Sequence, residues 1–130
     1  MRGFIILILP LALLVGCNRK PAGDKYLTIA EEALKNRLKA PSSYKRISAK
    51  FVYAGPSTSG KMGHVYRFEY DAQNAFGGLM RECQYLPFED LGTSGYHNPS
   101  MPLTPCASES GRSQEEVGKA ALDMNERFLP

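Results

Sequence analysis

The chain has 130 residues, 43% hydrophobic and 22% charged, with a formal net charge of +3. Twelve of its 56 apolar residues precede Cys17, and the rest suffice for one small core, which argues against a multidomain enzyme and a multi-span membrane protein. Thirteen aromatic residues argue against whole-chain disorder, and so mild a charge does not call for nucleic acid.

Met1-Arg2-Gly3 forms a short basic start, and residues 4–15 are apolar except for Pro10. The stretch is short for a bilayer span and has no stop-transfer flank, so it reads as a secretory signal peptide. Its end, Leu14-Val15-Gly16-Cys17, resembles the lipobox of bacterial lipoproteins. The resemblance implies removal of residues 1–16 and acylation of Cys17, so that the mature chain is held on a lipid bilayer by several acyl chains. Asn18, where an aspartate would mark inner-membrane retention, points by the same resemblance to the outer membrane, facing the periplasm. The alternatives are an ordinary signal peptide with a chance cysteine, or a short membrane helix.

Residues 17–23 then form a lipidated tether, and residues 24–130 a single small α+β domain. A first helix starts between Asp24 and Thr28, where Thr28-Ile29-Ala30-Glu31 has the capping-box pattern. Leu27, Ala30, Leu34 and Leu38 make its apolar stripe, Glu31 and Lys35 an i,i+4 pair, and Pro41 its stop. In the strand that follows, Ile47, Ala49, Phe51 and Tyr53 share one face. A Gly55–Gly60 turn leads to a second strand, in which His64, Tyr66, Phe68 and Tyr70 alternate with Val65, Arg67 and Glu69.

The third strand runs from about Leu79 to Leu86. Placing Arg67 opposite Glu82 forms a cross-strand ion pair, sets Tyr66 beside Cys83 and Tyr70 beside Leu79, and leaves Phe68 facing Arg81. The expected core is a three-stranded antiparallel meander with the first helix across its aromatic face. Residues 87–112 show no periodicity beyond a short strand near Pro87-Phe88, and read as an irregular segment. Ser113-Gln114-Glu115-Glu116 opens a C-terminal helix, with Val117, Ala121, Met124 and Phe128 at helical spacing.

With Cys17 taken by lipid, Cys83 and Cys106 are left in an oxidising compartment and are expected to form a disulfide that tethers the irregular segment. His64 and His97 are isolated, and no CxxC or HxxxH spacing marks a metal site. Residues 17–50 carry nine Lys or Arg against three Asp or Glu, and residues 51–130 carry six against ten. The basic part, nearest the anchor, reads as a solvated helix face or as a contact with anionic headgroups.

Leu38-Lys39-Ala40-Pro41-Ser42-Ser43 and Asn74-Ala75-Phe76-Gly77-Gly78 together resemble a group of small, largely uncharacterised bacterial envelope proteins with L-K-x-P-x-S and N-x-F/Y-G-G segments. Ala40 stands where that group often has an acidic residue. The resemblance covers roughly residues 25–86 and implies an exported α+β module with no assigned reaction. Read on their own, Asn74 and the two glycines serve a turn; the functional alternative is a recognition loop formed by Asn74, Phe76, Gly77 and Gly78.

No G-x-S-x-G elbow or H-E-x-x-H is present, and the carboxylates are scattered, so neither catalysis nor a cofactor is expected. Two functions remain. One is a lipid-anchored protein-binding or adaptor module with an envelope protein partner, contacting it through the loop and through Tyr96, Met101 and Leu103. The other is a small-ligand or inhibitor module with a cleft lined by Tyr66, Phe68 or Tyr85.

Overall fold

The computed structural model describes residues 23–91, 94–99 and 101–127. The signal segment, Cys17, the tether as far as residue 22, and Phe128 lie outside the described residues. Within them the chain forms an antiparallel sheet with a helix on each face. The elements are α1 (Gly23–Lys35), β1 (Lys45–Pro56), β2 (Met62–Gln73), β3 (Leu79–Leu91), β4 (Ser94–Tyr96), β5 (Thr104–Pro105) and α2 (Gln114–Arg127), in the strand order β1-β2-β3-β4 with β5 also paired to β3.

The apolar stripe of α1 does what its spacing predicts. Ala30 and Leu34 are buried against Tyr66, Phe68, Tyr70, Leu86 and Phe88, with Leu27 and Leu38 packed alongside. The helix begins ahead of Thr28, so Thr28 and Glu31 lie inside it and make no cap. Lys35 pairs with Glu32 at 3.1 Å, not with Glu31, which accepts from the Tyr44 hydroxyl at 2.8 Å. Pro41–Ser43 forms a 3-10 turn. There the Ser43 hydroxyl accepts from the Gln73 amide at 2.8 Å and fixes the exit of α1 to the end of β2.

The expected meander is present, but its register differs by three residues. Arg67 lies opposite Tyr85, Tyr66 opposite Leu86, Phe68 opposite Gln84 and Tyr70 opposite Glu82. The turn decides this. Asn74 N–H donates to the Gly78 carbonyl at 2.9 Å, so the strands close around Phe76, and hairpin register follows turn geometry. The cross-strand ion pair that forms is Asp71 with Arg81 at 2.9 Å. Arg67 instead holds Glu109, at 2.6 Å. The first strand also departs from simple alternation. Register shifts between Arg46 and Ser48 and between Phe51 and Tyr53 leave Ala49 against the α1 core but carry Tyr53 to the α2 core. They also interrupt the ladder on a strand that forms the sheet edge.

The apolar residues form two clusters, one on each face, where composition argued for one. Val65, Tyr85, Val117, Ala121 and Leu122 make the second. It is thin because small residues let α2 approach. A Cβ at Gly63 would meet Leu122, and one at Gly118 would lie 3.1 Å from Tyr53 Cβ. The second capping box forms as expected: Ser113 N–H donates to Glu116 Oε2 at 2.7 Å, and Glu116 N–H to Ser113 Oγ at 3.2 Å. Met124 is 38% exposed, and Asn125 takes the buried place, accepting from the Asn98 amide at 3.2 Å.

The described part of residues 87–112 is more ordered than its composition predicts. The segment holds the end of β3, then β4, β5 and a 3-10 turn over Cys106–Glu109. Cys83 and Cys106 form the expected disulfide, which ties that turn to the α2 side of the sheet. Glu109 then accepts from Arg67 Nε and from the Tyr85 hydroxyl. These two bonds hold its carboxyl below the usual carboxylate range.

Candidate functional site

The hairpin turn between β2 and β3 is rigid and apolar at its tip. Asn74 Oδ1 accepts from the Phe76 amide at 2.9 Å and the Gly78 amide at 3.0 Å. Gly77 N–H donates to the Asn74 carbonyl at 3.1 Å, and Gly77 takes φ +82°, which glycine adopts without a Cβ penalty. With its polar groups turned inward, the turn projects Phe76, which is 97% exposed, next to Leu79 and Met80, which are also exposed. Asn74, Phe76, Gly77 and Gly78 thus share one hydrogen-bonded turn.

Tyr96 is not part of this cluster. It pairs with Glu89 in β4, ten residues along β3 from Leu79, or about 33 Å at the rise of a strand. Met101 is not a surface group either: it is 1% exposed. Leu103 packs against the α1 core. Tyr66, Phe68 and Tyr85 belong to the cores, with 2%, 0% and 0% exposure, and none of them lines the groove described next.

A groove lies where sequence reasoning placed none. Past the end of α1, the chain at residues 37–39 stands over the β2–β3 face. Two cavities of ≈ 250 and ≈ 210 Å³ lie there, sharing Arg37, Leu38, Tyr70 and Gln84. The first is closed by Leu34 and Leu103. The second reaches Met80 and Asn74, at the base of the hairpin turn. Arg37 Nη1 bonds His97 Nε2 at 2.8 Å, and Nη2 donates to the Met101 carbonyl at 2.5 Å. His97 Nδ1 lies 3.0 Å from the Pro87 carbonyl. That carbonyl can only accept, so the ring is the neutral Nδ1–H tautomer and Nε2 accepts from Arg37. Burial, reinforced by the Arg37 charge and only partly offset by the Pro87 bond, lowers His97 to about 4.

The sequence did hold a signal for Arg37. Residues 30, 34 and 37 continue one helical face, so a guanidinium sits in line with an apolar stripe. Among the described residues no three His, Cys, Asp or Glu side chains converge as a metal site would need, and no helix is long and apolar enough to cross a membrane. Comparisons with protein-family models, curated proteins and solved structures found no match.

Proposed function

We propose that this protein is a non-catalytic adaptor of the bacterial cell envelope, anchored in a lipid bilayer through acylated Cys17 at the outer membrane and presenting the β2–β3 hairpin tip to an envelope protein partner. The observation that carries the reading is Phe76, almost fully exposed on a turn whose polar groups are already bonded to one another. An exposed aromatic group on a pre-organised turn loses little conformational entropy on docking and suits the centre of a protein interface.

The two ends of the sheet support the same reading. The Tyr26 hydroxyl donates to Asp90 at 2.8 Å, which holds the start of α1 near the end of β3. Ser43 holds the exit of α1 at the hairpin end. The start of α1 and the apolar tip therefore lie at opposite ends of a strand pair about 35 Å long, and in this reading the tip is the end presented to the partner. A small-ligand or inhibitor module is the weaker reading, because the aromatic residues expected to line its cleft are core residues.

The test is a photo-crosslinking amino acid introduced at Phe76, with Lys119 on α2 as the comparison position, in intact cells expressing the full chain. Mass spectrometry of the adducts is expected to find one dominant protein captured from position 76 and not from 119. The same adducts from both positions, or lipid adducts alone from 76, would refute the adaptor.

A further inference from the structure

Arg37 differs from three of the other described arginines. Arg46, Arg67 and Arg81 each hold a carboxylate within 4 Å. Arg37 is half-buried, and its two partners, His97 and the Met101 carbonyl, are both neutral. No carboxylate among the described residues forms an ion pair with it. A guanidinium carries five N–H donors, and these two bonds leave three of them. A charge partly withdrawn from water with no counter-ion is an unfavourable arrangement that an incoming anion relieves.

The same groove floor carries two more polar groups with nothing to bond. Tyr70 is 2% exposed, and its hydroxyl has no hydrogen-bond partner among the described residues, although it lines both cavities. Burial, with the field of Glu82 second, raises its phenol to about 12, so it remains a donor. Gln84, beside it in both cavities, likewise has no side-chain partner among the described residues. Gln84 is half-buried, and both side chains line the two cavities, so their polar groups are free to meet a ligand in the groove beside a cation with no counter-ion. Apolar walls flank this donor set at both ends: Leu34 and Leu103 at one, Ala72 and Met80 at the other.

We infer that the groove binds an extended peptide segment of the partner protein, with an acidic side chain seated on Arg37, Tyr70 and Gln84 and apolar side chains at its two ends. The choice of a peptide rests on the adaptor reading and on the groove's course, which ends at Asn74 and Met80 beneath the Phe76 turn. A chain docked on the tip continues into it. Lys39 beside the second cavity adds to the preference for an acidic segment, and Glu82 can accept from the segment's backbone amides.

The full-length protein in detergent micelles, labelled with ¹⁵N, is titrated with acetyl-Leu-Glu-Leu-amide and, separately, with the Gln and Lys counterparts of that tripeptide. The Glu peptide is expected to move the amide signals of Arg37, Tyr70 and Gln84 in a saturable way, and the Gln and Lys peptides to bind at least tenfold more weakly. Tyr70→Phe keeps the ring that packs in the core and removes only the hydroxyl. It is expected to weaken the Glu peptide about tenfold, in line with loss of one hydrogen bond to a charged group, with an unchanged thermal midpoint. Equal binding of the Gln peptide, unchanged affinity in Tyr70→Phe, or no saturable shift would each overturn the inference. No peptide binding alongside an intact crosslink at Phe76 removes the groove and leaves the adaptor. Peptide binding without any captured protein leaves the groove and removes the adaptor.

Discussion

His97 gives the fold a specific weakness to mild acid. The ring is 8% exposed and sits between a guanidinium that donates to Nε2 and a carbonyl that accepts from Nδ1–H. Protonation at Nε2 would set two donors and two positive charges against each other. The folded value, about 4, lies below the ordinary 6.5. The unfolded chain therefore binds more protons between those values, and stability falls as pH drops through that window. The full effect is about 3 kcal/mol at 1.36 kcal/mol per pH unit, and about 2 kcal/mol of it is lost between pH 7 and pH 5. For a domain of this size that corresponds to a melting point lower by about 10 °C. The carboxylates that the fold holds low, Asp71, Glu109 and Glu116, lose their contribution only as pH falls further, below their ordinary range near 4, so the His97 limb stands apart. Thermal melts of the wild type and of His97→Gln from pH 7.5 to 5 check the argument. The variant is less stable at pH 7 but flatter across the window. Parallel curves, or a His97 ring that titrates near 6.5 by NMR, would refute it.

Other consequences follow from the packing. Replacing Cys83 and Cys106 together with Ala opens a cross-link of sequence separation 23 and is expected to lower stability by about 3 kcal/mol, read from the urea midpoint. Gly63→Ala forces a methyl group against Leu122 and is expected to cost about 1–3 kcal/mol. Leu122→Ala empties a fully buried site at a cost of about 2–5 kcal/mol. Because the new methyl partly fills that cavity, the double variant should lose less than the sum, and strict additivity would show that the two residues do not share the space.

Much of the fold is legible in local pattern. The stripe of Leu27, Ala30 and Leu34, the alternation of Tyr66, Phe68 and Tyr70, the box at Ser113 and Glu116, and the pairing of Cys83 with Cys106 each rest on spacing within one element or on simple elimination. The strand register does not. Arg67 has a plausible partner in Glu82, but the turn at residues 74–78 has its own hydrogen-bonded geometry and sets the pairing, after which Glu109 reaches Arg67 from a different part of the chain. Residues 87–112 look irregular for a related reason. Their order comes from pairing with β3, from the disulfide and from the bonds of His97 and Glu109, none of which leaves a periodic trace in the segment itself.

The candidate site divides along the same line. The tip at Asn74, Phe76, Gly77 and Gly78 is one continuous stretch, so turn chemistry alone identifies it. The groove draws Arg37 from the exit of α1, Tyr70 from β2 and Gln84 from β3, and it takes shape only when the register sets Phe68 opposite Gln84 and Tyr70 opposite Glu82. In the register expected from side-chain pairing, Tyr70 would lie opposite Leu79 at the mouth of the hairpin, and Gln84 would face Val65. The three-residue difference therefore builds the groove as well as the sheet: the turn that exposes Phe76 also brings Tyr70 and Gln84 side by side under Arg37. A change in the length of that turn would disturb the tip and the groove together, which is the behaviour expected of two parts of one binding surface.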